Sequence, residues 1–122
     1  MATPPKQQQD TEAWLPLNTF DFLVLAILTD GERHGYGIVK EITSRTDGRV
    51  RVRPGNLYRV VNRLMERGLI KAGGRKVPDS SAEPRRHYSI TPLGRKVVAA
   101  HVELFSDVVA ASRGLRRASR FA

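Results

Sequence analysis

Four helical patterns, two short strands joined by a long basic loop, and a charge excess confined to one stretch predict a mainly α fold with a small β wing. In that order they describe a winged helix-turn-helix followed by a C-terminal dimerisation helix. At 122 residues the chain suffices for one small domain with an appended element. The expected layout is a flexible tail over 1–16, the winged domain over 17–91, the dimerisation helix over 92–115 and a basic tail over 116–122. From Arg45 to Lys96, fourteen Lys or Arg stand against four acids. That local balance of +10 accounts for the whole net charge of +9, so the basic surface is concentrated and suits a polyanion.

The N-terminal stretch "MATPPKQQQDTEAWLP" is polar and lacks the apolar core of a secretory signal. Only Trp14 and Leu15 can dock. The first helix begins after Leu17, with Asn18 or Thr19 as cap and Asp21 complementing its first turn. Its body, "FDFLVLAIL", is apolar nearly all round, as a buried central helix is, and ends near Thr29. After the turn "DGERHG" a second helix is expected from Gly35 to Arg45, with Ile38, Val39 and Ile42 inward. Tyr36 is expected to be half-buried between helices.

Asp47-Gly48 then makes a turn, and "RVRV" over 49–52 alternates as a short strand does. Pro54 opens the third helix, where its missing N–H costs nothing, and Gly68 stops it. Leu57, Val60, Val61 and Leu64 share one face of this helix. At 100° per residue, Arg59, Asn62 and Glu66 fall opposite, flanked by Asn56, Tyr58 and Arg63. "LIKAG" and "RHYSI" read as the strands of the wing. Thr91 caps the last helix, with Pro92 in its first position, and the helix runs to about Arg113.

That helix carries two apolar stripes. Leu93, Val97, Ala100, Leu104, Val108, Ala111 and Leu115 form one, and Val98, Val102, Phe105 and Val109 the other. Two stripes imply two partners, the helix's own domain and a second copy of the chain.

In a winged helix-turn-helix the third helix enters the major groove and the wing reaches the neighbouring backbone. The basic residues are spaced accordingly. Arg51 and Arg53 precede the third helix, Arg59 and Arg63 lie on it, and Lys71, Arg75, Lys76, Arg85 and Arg86 belong to the wing. Asn56, Arg59 and Asn62 can make paired hydrogen bonds to base edges, whereas the wing cations would neutralise phosphates. Tyr58 can donate to a phosphate or pack beside Leu57. At "ERHGYGIVKEI", Gly31, Gly35 and Gly37 match no phosphate-binding loop. The stretch reads instead as a turn and helix start from which His34 and the Gly35 amide can touch a phosphate.

The segments "HGYGIVKEI", "GNLYRVVNRLMERGLI" and "PRRHYSITPLGRKV", in this order, resemble the PadR family of bacterial transcriptional regulators over about residues 20–113. The single helix after the wing resembles the small subclass of that family. The resemblance implies a sequence-specific, ligand-responsive repressor that binds a pseudo-palindromic operator in double-stranded DNA as a homodimer. It also implies an effector, with hydrophobic drugs and phenolic acids used by different members. Drug-sensing members of the small class carry an aromatic residue at the dimer interface. Phe105 stands at that place, and Trp14 is a second aromatic able to line such a pocket.

An enzyme is disfavoured. His34, His87 and His101 lie in three different elements, and no nucleophile elbow or zinc spacing occurs. A basic RNA-binding or ribosome-associated protein is the main alternative, weakened by the lack of sheet aromatics for stacking bases. No cofactor or metal is expected. The absence of cysteine and of any apolar run near the roughly 18 residues of a membrane span suits the cytoplasm, with no membrane partner.

Overall fold

The computed structural model of the chain describes residues 11–73, 86–112 and 114. They fall into two compact units, Leu17–Arg95 on the one hand and Met1–Pro16 with Lys96–Ala122 on the other. The first unit holds α1 (Thr19–Leu28), β1 (Arg33–His34), α2 (Gly35–Arg45), α3 (Pro54–Glu66), β2 (Ile70–Ala72) and β3 (His87–Ile90). Helix α4 (Pro92–Ala111) starts there and continues into the second.

Local chemistry sets the helix ends. The Asn18 side chain caps α1, its Oδ1 accepting the Asp21 N–H at 2.9 Å. His34 caps α2, with Nδ1 accepting the Gly37 N–H at 3.0 Å. An imidazole that accepts at Nδ1 carries its hydrogen on Nε2. Helix α3 opens on Pro54 without a side-chain cap and closes in a Schellman motif. There Leu69 N–H reaches the Leu64 carbonyl, Gly68 N–H reaches Met65, and Gly68 takes φ 76°. Helix α2 closes the same way through Gly48 to Thr43 and Asp47 to Ser44, with Asp47 in the left-handed position. At the start of α4, Thr91 Oγ1 accepts the Gly94 N–H at 3.0 Å.

The sheet is antiparallel in the order β1-β3-β2. Strand β3 pairs Ile90 with Ile70 and Tyr88 with Ala72 on one side, and Tyr88 with Arg33 and His87 with His34 on the other. This corrects one expectation. The "RVRV" segment is not a strand; the third strand precedes α2 instead. The alternation is nonetheless real, since Val52 is buried and Arg51 and Arg53 are exposed. It marks an extended segment lying half-buried on the core with no ladder partner among the described residues, tied at its start by Val50 N–H to Thr46 Oγ1.

The core of the first unit comprises Val24, Leu25, Ile27 and Leu28 of α1, Ile38 and Ile42 of α2, and Leu57, Val61 and Leu64 of α3, closed by Leu69 and Ile70. In the second unit the structure departs from expectation twice. Of the expected tail over 1–16, residues 1–10 lie outside the described residues; in 11–16 Thr11 is buried, and its carbonyl accepts the Trp14 N–H at 3.0 Å. The two stripes of α4 also divide by length, not by face. Val97, Val98 and His101 are buried in their own chain, whereas Val102, Leu104, Phe105, Val108 and Val109 are all exposed. Burial lowers the His101 pKa, so its imidazole is neutral at pH 7. No helix among the described residues is long and apolar enough to cross a membrane.

Candidate nucleic-acid interface

Helix α3 is amphipathic, and its burial decides what it can present. With Leu57, Val60, Val61 and Leu64 buried, Asn56, Tyr58, Arg59 and Asn62 are left exposed. Arg51 and Arg53 continue this polar surface along the extended segment, on either side of the buried Val52. Among the described residues no ion pair engages Arg51, Arg53, Arg59 or Lys71. Other cations are committed. Arg45 bridges Asp30 at 2.5 Å and Glu41 at 2.9 Å, which raises its pKa through those two hydrogen bonds, the Asp30 bond foremost.

Arg63, placed by its spacing with the DNA-contacting face, pairs with Asp21 of α1, whose side chain is 5% exposed. A buried carboxylate needs a cation, and Arg63 supplies it. Asp21 therefore does more than complement the dipole of α1: it locks α1 to α3.

The flanks of α3 differ. On one side Asn56, Arg59 and Arg63 meet the start of α1, enclosing a pocket of about 450 Å³ with Asn18, Thr19, Phe20, Val52 and Val60. On the other, the Tyr58 hydroxyl lies 3.4 Å from where a Cβ on Gly35 would stand, so α2 begins against Tyr58. Tyr36 is 63% exposed, against the expectation of half-burial. It stacks on His34, with centroids 6.4 Å apart, and Lys40 Nζ lies 5.5 Å from its centroid. Periodicity carries the signal for this: Tyr36 is two residues from the buried Ile38, 200° away around the helix. Tyr36 and Lys40 thus add an aromatic-basic corner at the start of α2 that the sequence reading did not assign.

Among the wing residues, Lys71 and Arg86 are exposed, while Arg75, Lys76 and Arg85 lie outside the described residues. His34, expected beside a phosphate, holds the start of α2 through its Nδ1. Of the residues expected at a dimer interface, Val97 is wholly buried in its own chain, Leu93 and Ala100 are half-buried, and Leu104, Phe105, Val108 and Ala111 are exposed. Leu115 lies outside the described residues. Trp14 is half-buried, and Phe105 stacks on His101 at 4.3 Å.

A model of the PadR-like family of transcriptional regulators matches residues 24–100. An uncharacterized protein of Lysinibacillus sphaericus is 31% identical over 88 residues, 72% of this chain and 79% of that protein. Among solved structures, a PadR family transcription regulator from hypervirulent Clostridium difficile R20291 superposes with a TM-score of 0.66 at 21% identity, covering 80% of this chain and 98% of that one. Bacillus subtilis PadR in complex with operator DNA gives 0.60 at 18% identity, over 68% of this chain and 46% of that one. These structures share the fold, and the family model spans most of it. The chain belongs to the PadR-like family of transcriptional regulators.

Proposed function

We propose that the protein is a ligand-responsive repressor that binds a pseudo-palindromic operator in double-stranded DNA as a homodimer in the cytoplasm. One observation carries the reading: the exposed face of α3 holds Asn56, Arg59 and Asn62, with Arg51 and Arg53 beside them, none of these arginines taken by an acid among the described residues. Arginine and asparagine are the side chains whose paired donors and acceptors fit guanine and adenine edges. Lys71 and Arg86, with Arg75, Lys76 and Arg85 of the connecting loop, would meet phosphates. The operator complex of Bacillus subtilis PadR, a protein of the same fold, supports the assignment.

Selection of bound duplexes from a random pool tests it and yields the operator. On the selected sequence Arg59→Ala and Asn62→Ala should each cost about 1–3 kcal/mol. On random duplex they should cost little. Lys71→Ala should weaken both alike and reduce the salt slope by about one unit. Equal loss on every sequence from Arg59→Ala removes α3 from the recognition role.

Self-association is supported by the second half of α4. Val102, Leu104, Phe105, Val108 and Val109 expose apolar surface on both sides of one helix, more than a lone small domain usually leaves in water. Two copies joined there would carry two α3 helices, suited to half-sites about 34 Å apart. Sedimentation should find a dimer at micromolar concentration and a monomer for Val108→Glu, whose charge would be buried unpaired at the joint. A wild-type monomer contradicts the reading. Trp14 and Phe105, which share one compact unit, are the proposed contacts for a small hydrophobic or phenolic effector.

A further inference from the structure

The flank of α3 that meets the start of α1 mixes two chemistries. Asn56 and Arg59, both exposed, share a recess with the buried Val52 and Val60, and α1 adds Phe20, whose residue surface is left 41% exposed. The recess measures about 450 Å³, room for the edge of a pyrimidine ring.

What fits there follows from the chemistry of the walls. A phosphate is a poor occupant, because Arg63 is taken by Asp21 and three apolar side chains offer an anion nothing. The hydrogen-bonding groups of a base edge would likewise go unpaired against those walls. The major groove has one apolar feature, the C5 methyl of thymine, and phenylalanine is among the side chains that receive it. Location agrees with chemistry. Arg59 lines the recess and also lies on the face of α3 proposed to reach base edges. Successive base pairs are about 3.4 Å apart, so a side chain bonded to one base brings its neighbours on the helix to the next. Val60 follows Arg59 directly, and Asn56, one turn before Val60, lines the recess as well.

We propose that Phe20, Val52 and Val60 form a receptor for the methyl group of a thymine next to the base pair that Arg59 contacts. Phe20, on α1 and outside the recognition helix, is thereby a specificity-determining residue. Uracil or unmodified cytosine at this place leaves the apolar walls facing water, and that difference is what the site reads. 5-Methylcytosine carries the same methyl, so binding responds to cytosine methylation there. All of this holds only if α3 enters the major groove as proposed above.

The test starts from the operator selected out of a random pool; repeating the selection with Arg59→Ala marks the base pair that Arg59 reads. Each thymine within one step of that pair is then replaced by deoxyuridine, which removes the methyl and nothing else. One such replacement should weaken binding about fourfold, the loss expected from leaving one methyl group out of an apolar site. The ratio should hold from low to high salt while both affinities fall, since no phosphate contact changes. With a cytosine–guanine pair at the same place, methylating the cytosine should strengthen binding about fourfold. In Phe20→Ala the thymine–uracil difference should shrink below about twofold, because both changes remove the same contact. The deoxyuridine and methylcytosine comparisons use the wild-type chain and stand whatever Phe20→Ala does to the fold. No thymine beside the Arg59 base pair, equal binding of thymine and deoxyuridine operators, or a methyl effect undiminished in folded Phe20→Ala would each overturn the receptor and leave the DNA role of α3 intact. Failure to select any sequence would overturn that role, and the receptor with it.

Discussion

Gly94→Ala is expected to be among the most damaging substitutions in this chain, costing about 3 kcal/mol. Gly94 is the third residue of α4, and a Cβ there would stand 2.2 Å from the Leu69 carbonyl oxygen and 2.7 Å from Ile90 Cγ1. Backbone, unlike a side-chain tip, cannot step aside cheaply. This carbonyl is moreover pinned, accepting both the N–H and the hydroxyl of Thr91 at 3.0 Å. Adding one methyl group must therefore push α4 off the end of α3 or pull Thr91 out of its cap. Denaturant unfolding reads the effect as a lower midpoint at unchanged slope. Gly55→Ala is the control: nothing lies within 4 Å of a Cβ there, and the helix gains up to about 1 kcal/mol of propensity. Matching midpoints for Gly94→Ala and wild type would mean that the two backbones do not touch.

The helix ends were legible because their chemistry is local. Asn18, Pro54, Gly68 and Thr91-Pro92 act on groups within a turn of themselves, so the caps and stops lie where the residues placed them. The same holds for the inner face of α3 and the two strands of the wing. What escaped depends on distance along the chain. Strand β1 is two residues long and exists only because β3, more than fifty residues later, offers it an edge. Alternation at 49–52 had no such partner among the described residues and misled. The capping role of the His34 Nδ1 is not legible in the sequence, since histidine is outside the usual capping set. On α4 periodicity identified two apolar stripes, yet it is blind to where along a helix the rest of the chain ends. Within the candidate DNA face, the pairing of Arg63 with Asp21 escaped spacing for the same reason: its partner is 42 residues away.

The pair Asp21–Arg63 is the sharpest test of structure against spacing. Arg63→Ala should destabilise the fold by about 3 kcal/mol, because it strands a carboxylate whose surroundings exclude water. Asp21→Asn should cost less. An amide oxygen can still accept from Arg63, whose side chain is 35% exposed and can shed part of its charge into solvent. The asymmetry distinguishes a buried anion that needs its cation from an ordinary surface pair, where either loss would cost about 1 kcal/mol or less. The double variant Asp21→Asn, Arg63→Ala should recover part of the loss, since no uncompensated charge remains. DNA binding by Arg63→Ala should fall on all sequences alike, in proportion to the unfolded fraction, and return in the double variant at temperatures where that protein is folded. A double variant that folds but still fails to bind would show Arg63 serving DNA as well as Asp21. Recovery would leave Arg59 and Asn62 as the residues through which α3 reads bases, with Arg63 holding the helix at the angle from which they can.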